Sequence, residues 1–173
     1  MKLLVFTEGT ILMHAEAVGL ARVEIVRQIQ ERKIAILDYN AHVPIGHAVQ
    51  KLTTWQCQGA QIVYLTSRTK PDQVESIRNV LKRHGLPEGE LFYRHPGESY
   101  ADVAERVMPE LLIEDDCASI GGESEMTYPH IKPAAQARIQ SITVPEFGGI
   151  DHLPDQLAAL LQLGQKGNRD ASH

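Results

Sequence analysis

A doubly wound α/β fold, with a mainly parallel five-stranded sheet and helices on both faces, is predicted by three features of this 173-residue chain. Short apolar runs alternate with stretches of helical periodicity. The runs stop at turn-forming or polar residues, as buried strands do. The segments between them are long enough for crossover helices, which is what parallel strands need.

The first strand is Leu3–Phe6, ending in the turn Gly9-Thr10. Val18 to Gln30 repeats apolar residues at helical spacing (Val18, Ala21, Ile25, Ile29), and a helix is expected there. Pro44 is expected to open a second helix, with Ile45, Ala48, Val49, Leu52 and Trp55 on one face and Gly59 as its stop. The second strand follows at Gln61–Leu65, and a third helix runs from Pro71-Asp72 to just before Gly85. Leu91–Tyr93, Leu111–Glu114 and Ser141–Val144 read as strands, Tyr100–Val107 and Pro154–Leu161 as helices. A polar, Gly-rich tail, residues 164–173, is expected to be disordered and leaves one domain over 1–163.

A net charge of −5 argues against a general nucleic-acid binder, which needs a clustered basic face. Cys57 and Cys117 form neither a metal spacing nor a disulfide framework, so a reducing cytoplasm fits. No apolar stretch approaches membrane-spanning length, and a cytoplasmic protein is expected.

Three strand ends carry the chemistry. Phe6-Thr7-Glu8-Gly9-Thr10 follows the first, Thr66-Ser67-Arg68 the second, and Glu114-Asp115-Asp116 closes the fourth. In that order they resemble the haloacid dehalogenase-like (HAD) superfamily, whose first motif is four apolar residues and then Asp-x-Asp-Gly-Thr. Gly9 and Thr10 match, and Glu8 stands at the second Asp. Phe6 stands at the first, the family's covalent nucleophile, and a phenyl ring cannot attack phosphorus. The resemblance spans residues 1–163 and implies a HAD-like, Rossmannoid sheet with a small cap insertion at 11–43.

It also implies that the first and fourth strands are neighbours, bringing Glu8 close to Asp115 and Asp116. An oxygen-only set of Glu8, Asp115 and Asp116 suits Mg²⁺ better than zinc, and a cation would relieve the carboxylates' repulsion. The acidic run also reads as a solvated strand end. Ser119 stands where many members carry another Asp. Thr66 matches the second motif, whose hydroxyl and backbone N–H hold a phosphoryl group; Ser67, Arg68 and Thr10 complete the expected substrate-binding set. The same Thr-Ser turn also reads as a cap for the helix behind it. The motif lysine has no match, and Arg94, Arg106 and Lys132 are the substitutes on offer.

Three functional readings follow from the resemblance. One is a phosphoester hydrolase with Mg²⁺ at Glu8 and Asp115 activating water for direct attack. The second is an inactive relative that binds a phosphorylated or anionic small molecule, or a protein partner. The third is a shifted motif with Thr7 or Glu8 as an unusual nucleophile. A small cap leaves room for a large substrate, or for a second subunit of a homo-oligomer over the site. His14, His42 and His47 lie near the cap without zinc spacing and are expected to be solvated. Cys117 is expected to pack rather than react, since neighbouring carboxylates raise its pKa. The loop 121–132 and the segment 146–152 are expected to flank the site.

Overall fold

The apolar runs assemble as one parallel sheet. In the computed structural model, which describes residues 1–31 and 38–170 (165–170 as backbone only), its strands are β1 (Lys2–Phe6), β4 (Gln61–Leu65), β5 (Leu91–Phe92), β6 (Leu111–Asp115) and β7 (Gln140–Val144). Their order is β5-β4-β1-β6-β7, all parallel. Leu4 is in register with Val63 on one side and Leu112 on the other. The chain builds outward from β1 to β4 and β5, then returns past β1 to β6 and β7. Beyond the carboxyl end of β1 lies the crevice where such sheets bind ligands.

Side chains alternate across the sheet, and each face is covered by its own helices. Leu3, Val5, Ile62, Tyr64, Leu111 and Ile113 pack with helices α2 (Ala48–Cys57), α3 (Pro71–Arg83) and α6 (Leu157–Asp170). Leu4, Val63, Leu65 and Leu112 pack on the other face against α4 (Tyr100–Val107) and the 131–139 segment, which holds α5 (Pro133–Gln136). Trp55 is fully buried in the first layer and donates its indole N–H to the Pro154 carbonyl at 2.9 Å. Ser99 starts α4 with a reciprocal capping box, its hydroxyl accepting from the Asp102 N–H while Asp102 accepts from the Ser99 N–H.

The cap departs most from expectation. Helix α1 spans Arg22–Gln30 rather than starting at Val18, because Ala15–Ala17 form a 3₁₀ turn and Gly19 takes φ +84°. Pro44 opens no helix: it ends a three-residue strand β3 (His42–Pro44), paired antiparallel with β2 (Leu12–His14), and α2 starts at Ala48. Three residues are too few to show alternation, and the partner is about 30 positions away, so nothing local announces this pair. Within the 11–43 cap, residues 32–37 lie outside the described residues, as do 171–173 of the tail. Helix α6 runs to Asp170, and Gly164 is buried against Leu111 and Gln140. No helix of the described residues is long and apolar enough to cross a membrane.

The capping box and the α4 layer make separable contributions. Ser99→Ala is expected to lower the unfolding free energy by about 1 kcal/mol, and Leu112→Ala by about 2–5 kcal/mol. Urea unfolding monitored by circular dichroism measures both. A Ser99→Ala loss as large as that of Leu112→Ala would contradict this division.

Candidate functional site

The β1 turn places its residues by strand alternation and one obligatory glycine. Phe6 lies on the α4 face and meets Tyr100 edge to face, ring centroids 5.1 Å apart. The chain then turns back through Gly9 (φ +84°), whose N–H donates to the Leu12 carbonyl. A Cβ at Gly9 would stand 2.8 Å from Asp115 Oδ2, so both its backbone angle and its neighbour require glycine. Next to it, Thr10 Oγ1 donates to the same Asp115 oxygen at 2.8 Å.

Asp115 ends β6 and Asp116 follows it, and a third carboxylate arrives from beyond β7. Glu146 offers an oxygen within 4.8 Å of oxygens on both aspartates, making the one such group of three among the described residues. Ser119 fixes it, donating from its N–H (2.6 Å) and its hydroxyl (2.7 Å). Glu146 thus brings the carboxylate that the serine at 119 does not. Burial raises the pKa of both Asp115 and Glu146 above the ordinary carboxylate value; their mutual repulsion adds to the rise in Glu146, and the Thr10 bond moderates it in Asp115. Asp116 is half-exposed and bridged to Arg22 at 2.9 Å, while Arg22 Nε donates to the Glu146 carbonyl. Cap helix α1 is tied to the acidic cluster through this one guanidinium.

Glu8 turns the other way. Its carboxylate takes the Thr66 hydroxyl at 2.7 Å, the Ser67 N–H at 3.3 Å and Arg68 Nε at 3.2 Å. It also accepts from the Thr7 hydroxyl, which lies 3.1 Å from the Leu65 carbonyl. Glu8 therefore stands on the β4 side with the hydroxyl donors, outside the triad of Asp115, Asp116 and Glu146. Thr7 is fully buried and does not line the cavity, a poor placement for a nucleophile.

Between the two clusters opens a cavity of about 150 Å³. Phe6, Leu12, Met13, Ile25, Tyr39, Tyr100 and Phe147 form its apolar lining, with Glu8, Ser67, Arg68, Asp115 and Glu146 among its polar lining. Arg68 lies 4.7 Å over the Tyr39 ring, a contact the weakly hydrated guanidinium favours.

None of the three substitutes for the motif lysine lines the cavity. Lys132 pairs with Glu105 of α4 at 2.8 Å, and Arg106 with Glu98 at 3.3 Å. Arg94 stacks 4.1 Å over Tyr100 and does not reach the cavity. Of the histidines, His47 is exposed and bonded to Asp151, as a solvated residue should be. His42 is not: it is buried beside Tyr39 and lines the cavity, and burial lowers its pKa. The loop 121–132 is held by buried Glu114, which accepts from the N–H groups of Thr127 (2.6 Å) and Tyr128 (2.8 Å). Beyond β7, Phe147 N–H donates to the Gly9 carbonyl at 2.7 Å, so this segment does flank the site. Glu146 was open to sequence reasoning only as an acid two residues past a strand end.

No family model matches the sequence, and no curated protein does. Solved structures do resemble the fold. The class C acid phosphatase from Bacillus anthracis superposes with a TM-score of 0.52 at 14% identity, covering 98% of this chain and 78% of that one. The same phosphatase with tungstate bound gives 0.50 at 15% identity, covering 96% and 78%. At such identities the likeness is one of fold, and the fold is HAD-like.

The cysteines report on the electrostatics of the site. Burial first, and then Asp115, Glu114 and Glu146, raise the Cys117 pKa, whereas Cys57 is exposed on α2. Iodoacetamide at neutral pH is expected to alkylate Cys57 well before Cys117, as followed by peptide mass spectrometry. Equal rates would contradict the negative, desolvated setting given to Cys117.

Proposed function

We propose that this chain is a HAD-like module that binds a divalent cation together with the anionic group of a phosphorylated small molecule, and forms no covalent phosphoenzyme. The observation that carries the reading is Phe6, whose ring occupies the nucleophile position and packs on Tyr100 as part of an apolar cavity wall. None of the side chains beside it replaces the lost carboxylate as a nucleophile: Thr7 is buried, Glu8 is held by four donors, and Cys117 is kept protonated.

The acidic triad fits a hard cation. Asp115, Asp116 and Glu146 converge oxygen atoms only, and the desolvation of Asp115 and Glu146 is of the kind a bound charge offsets. Mg²⁺ there would neutralise phosphoryl charge and polarise a phosphoryl oxygen. The chain's own residues supply the remainder. Thr10 and the Cys117 N–H orient Asp115, Ser119 orients Glu146, and Thr66, Ser67 and Arg68 offer the donors for the anion. A tetrahedral oxyanion, tungstate, is bound by a structural neighbour. The apolar walls of the cavity would take the uncharged part of the ligand.

A second reading, hydrolysis of the phosphoester by direct attack of water, is favoured by Asp115 and Glu146 of the acidic triad lining one cavity with Ser67 and Arg68. The test pairs Mg²⁺ calorimetry with phosphate release from a phosphoester panel, on the wild type and Asp115→Asn. The proposed reading predicts Mg²⁺ binding weakened at least about tenfold in Asp115→Asn and no release above that variant. Mg²⁺-dependent release that vanishes in Asp115→Asn would establish hydrolysis instead. Absence of Mg²⁺ binding in the wild type would overturn both.

A further inference from the structure

The donors that would receive an oxyanion are already occupied by a side chain of the protein itself. Around the Glu8 carboxylate stand a hydroxyl (Thr66, 2.7 Å), a backbone N–H (Ser67, 3.3 Å) and a guanidinium (Arg68, 3.2 Å). Hydroxyl, amide and guanidinium donors converging on one anion are the means by which a phosphoryl group is bound. Glutamate rather than aspartate lets a residue of the β1 turn span to the loop after β4. The Glu8 side chain retains 15% exposure and lines the cavity, so a solute entering the cavity meets it directly.

We propose that Glu8 is a tethered competitor for this oxyanion subsite, selecting ligands that carry a doubly charged phosphate. This rests on the reading above that Thr66, Ser67 and Arg68 receive the ligand's anionic group. Two anions cannot share these donors without strong repulsion, so binding requires that the Glu8 carboxylate leave. The apparent affinity of the subsite is then the intrinsic affinity multiplied by the fraction of molecules in which Glu8 has swung away. A phosphomonoester dianion attracts Arg68 more strongly than the carboxylate it displaces. A singly charged phosphodiester lacks that advantage. Arg68 is also oriented independently of Glu8, by Ser67 Oγ (2.6 and 3.1 Å) and over Tyr39, so the subsite keeps its shape when Glu8 moves.

Calorimetric titration with inorganic phosphate, at mildly alkaline pH where it is doubly charged, and with dimethyl phosphate tests this. The proteins are the wild type, Glu8→Ala, Glu8→Gln, Arg68→Ala and the Glu8→Ala/Arg68→Ala double variant. Glu8→Gln is nearly isosteric and keeps the test decisive should the alanine variant fail to fold. Both single Glu8 variants are expected to bind inorganic phosphate at least about tenfold more tightly than the wild type. The gain should vanish in the double variant, and dimethyl phosphate should gain in the Glu8 variants while scarcely binding the wild type. If the Glu8 variants bind phosphate no better than a wild type whose own binding needs Arg68, the competitor role is overturned and the anion subsite stands. If removing Arg68 changes phosphate binding in none of the proteins, the subsite itself falls, and the proposal with it.

Discussion

Negative charge crowded at the carboxyl ends of β1, β6 and β7 is the constraint on which the rest of the site depends. A desolvated carboxylate must be bonded, paired or protonated, and here each finds its own partners. Glu8 is drawn to the loop after β4 by Thr66, Ser67 and Arg68. Asp115 is held by Thr10 and the Cys117 N–H, Asp116 by Arg22, Glu146 by Ser119 and Glu114 by the backbone at 127–128. These bonds draw the cap, the 121–132 loop and the segment after β7 onto the sheet. The outcome is a division of charge, with the acidic triad toward β7 and a donor cluster toward β4.

Phe6 changes what lies between those halves. A carboxylate at its position would add charge to the crowded end of β1; the phenyl ring adds an aromatic contact to Tyr100 instead. The cavity is walled largely by apolar side chains between the two polar clusters. The chain shares its fold with a class C acid phosphatase, and fold alone does not decide activity.

The sheet was legible because burial on both faces turns strands into unbroken apolar runs, such as Ile62–Leu65 and Leu111–Ile113. Helix α4 was read to the residue, and in the structure Ser99 and Asp102 fix its start. The β2–β3 pair was not, since its three-residue strands meet across the whole cap. Pro44 was misleading: proline suits the end of an edge strand as well as the first turn of a helix. Motif order put Thr66, Asp115 and Asp116 at strand ends, but sequence gives no direction to a side chain. Glu8 swung toward Arg68 because opposite charge was available there and like charge waited at Asp115. Glu146 entered the cluster through pairing of β7 with β6, a contact between strands that no local pattern records. Lys132 pairs instead with Glu105 on α4, a contact that no local pattern records.

The division of charge is tested most directly by a crystal structure of the chain grown with Mn²⁺, using the metal's anomalous signal to locate it. The account predicts one strong peak bonded to oxygens of Asp115, Asp116 and Glu146, with the Glu8 carboxylate still on Thr66 and Arg68. A peak bonded to Glu8, or no peak among the three acids, would contradict it.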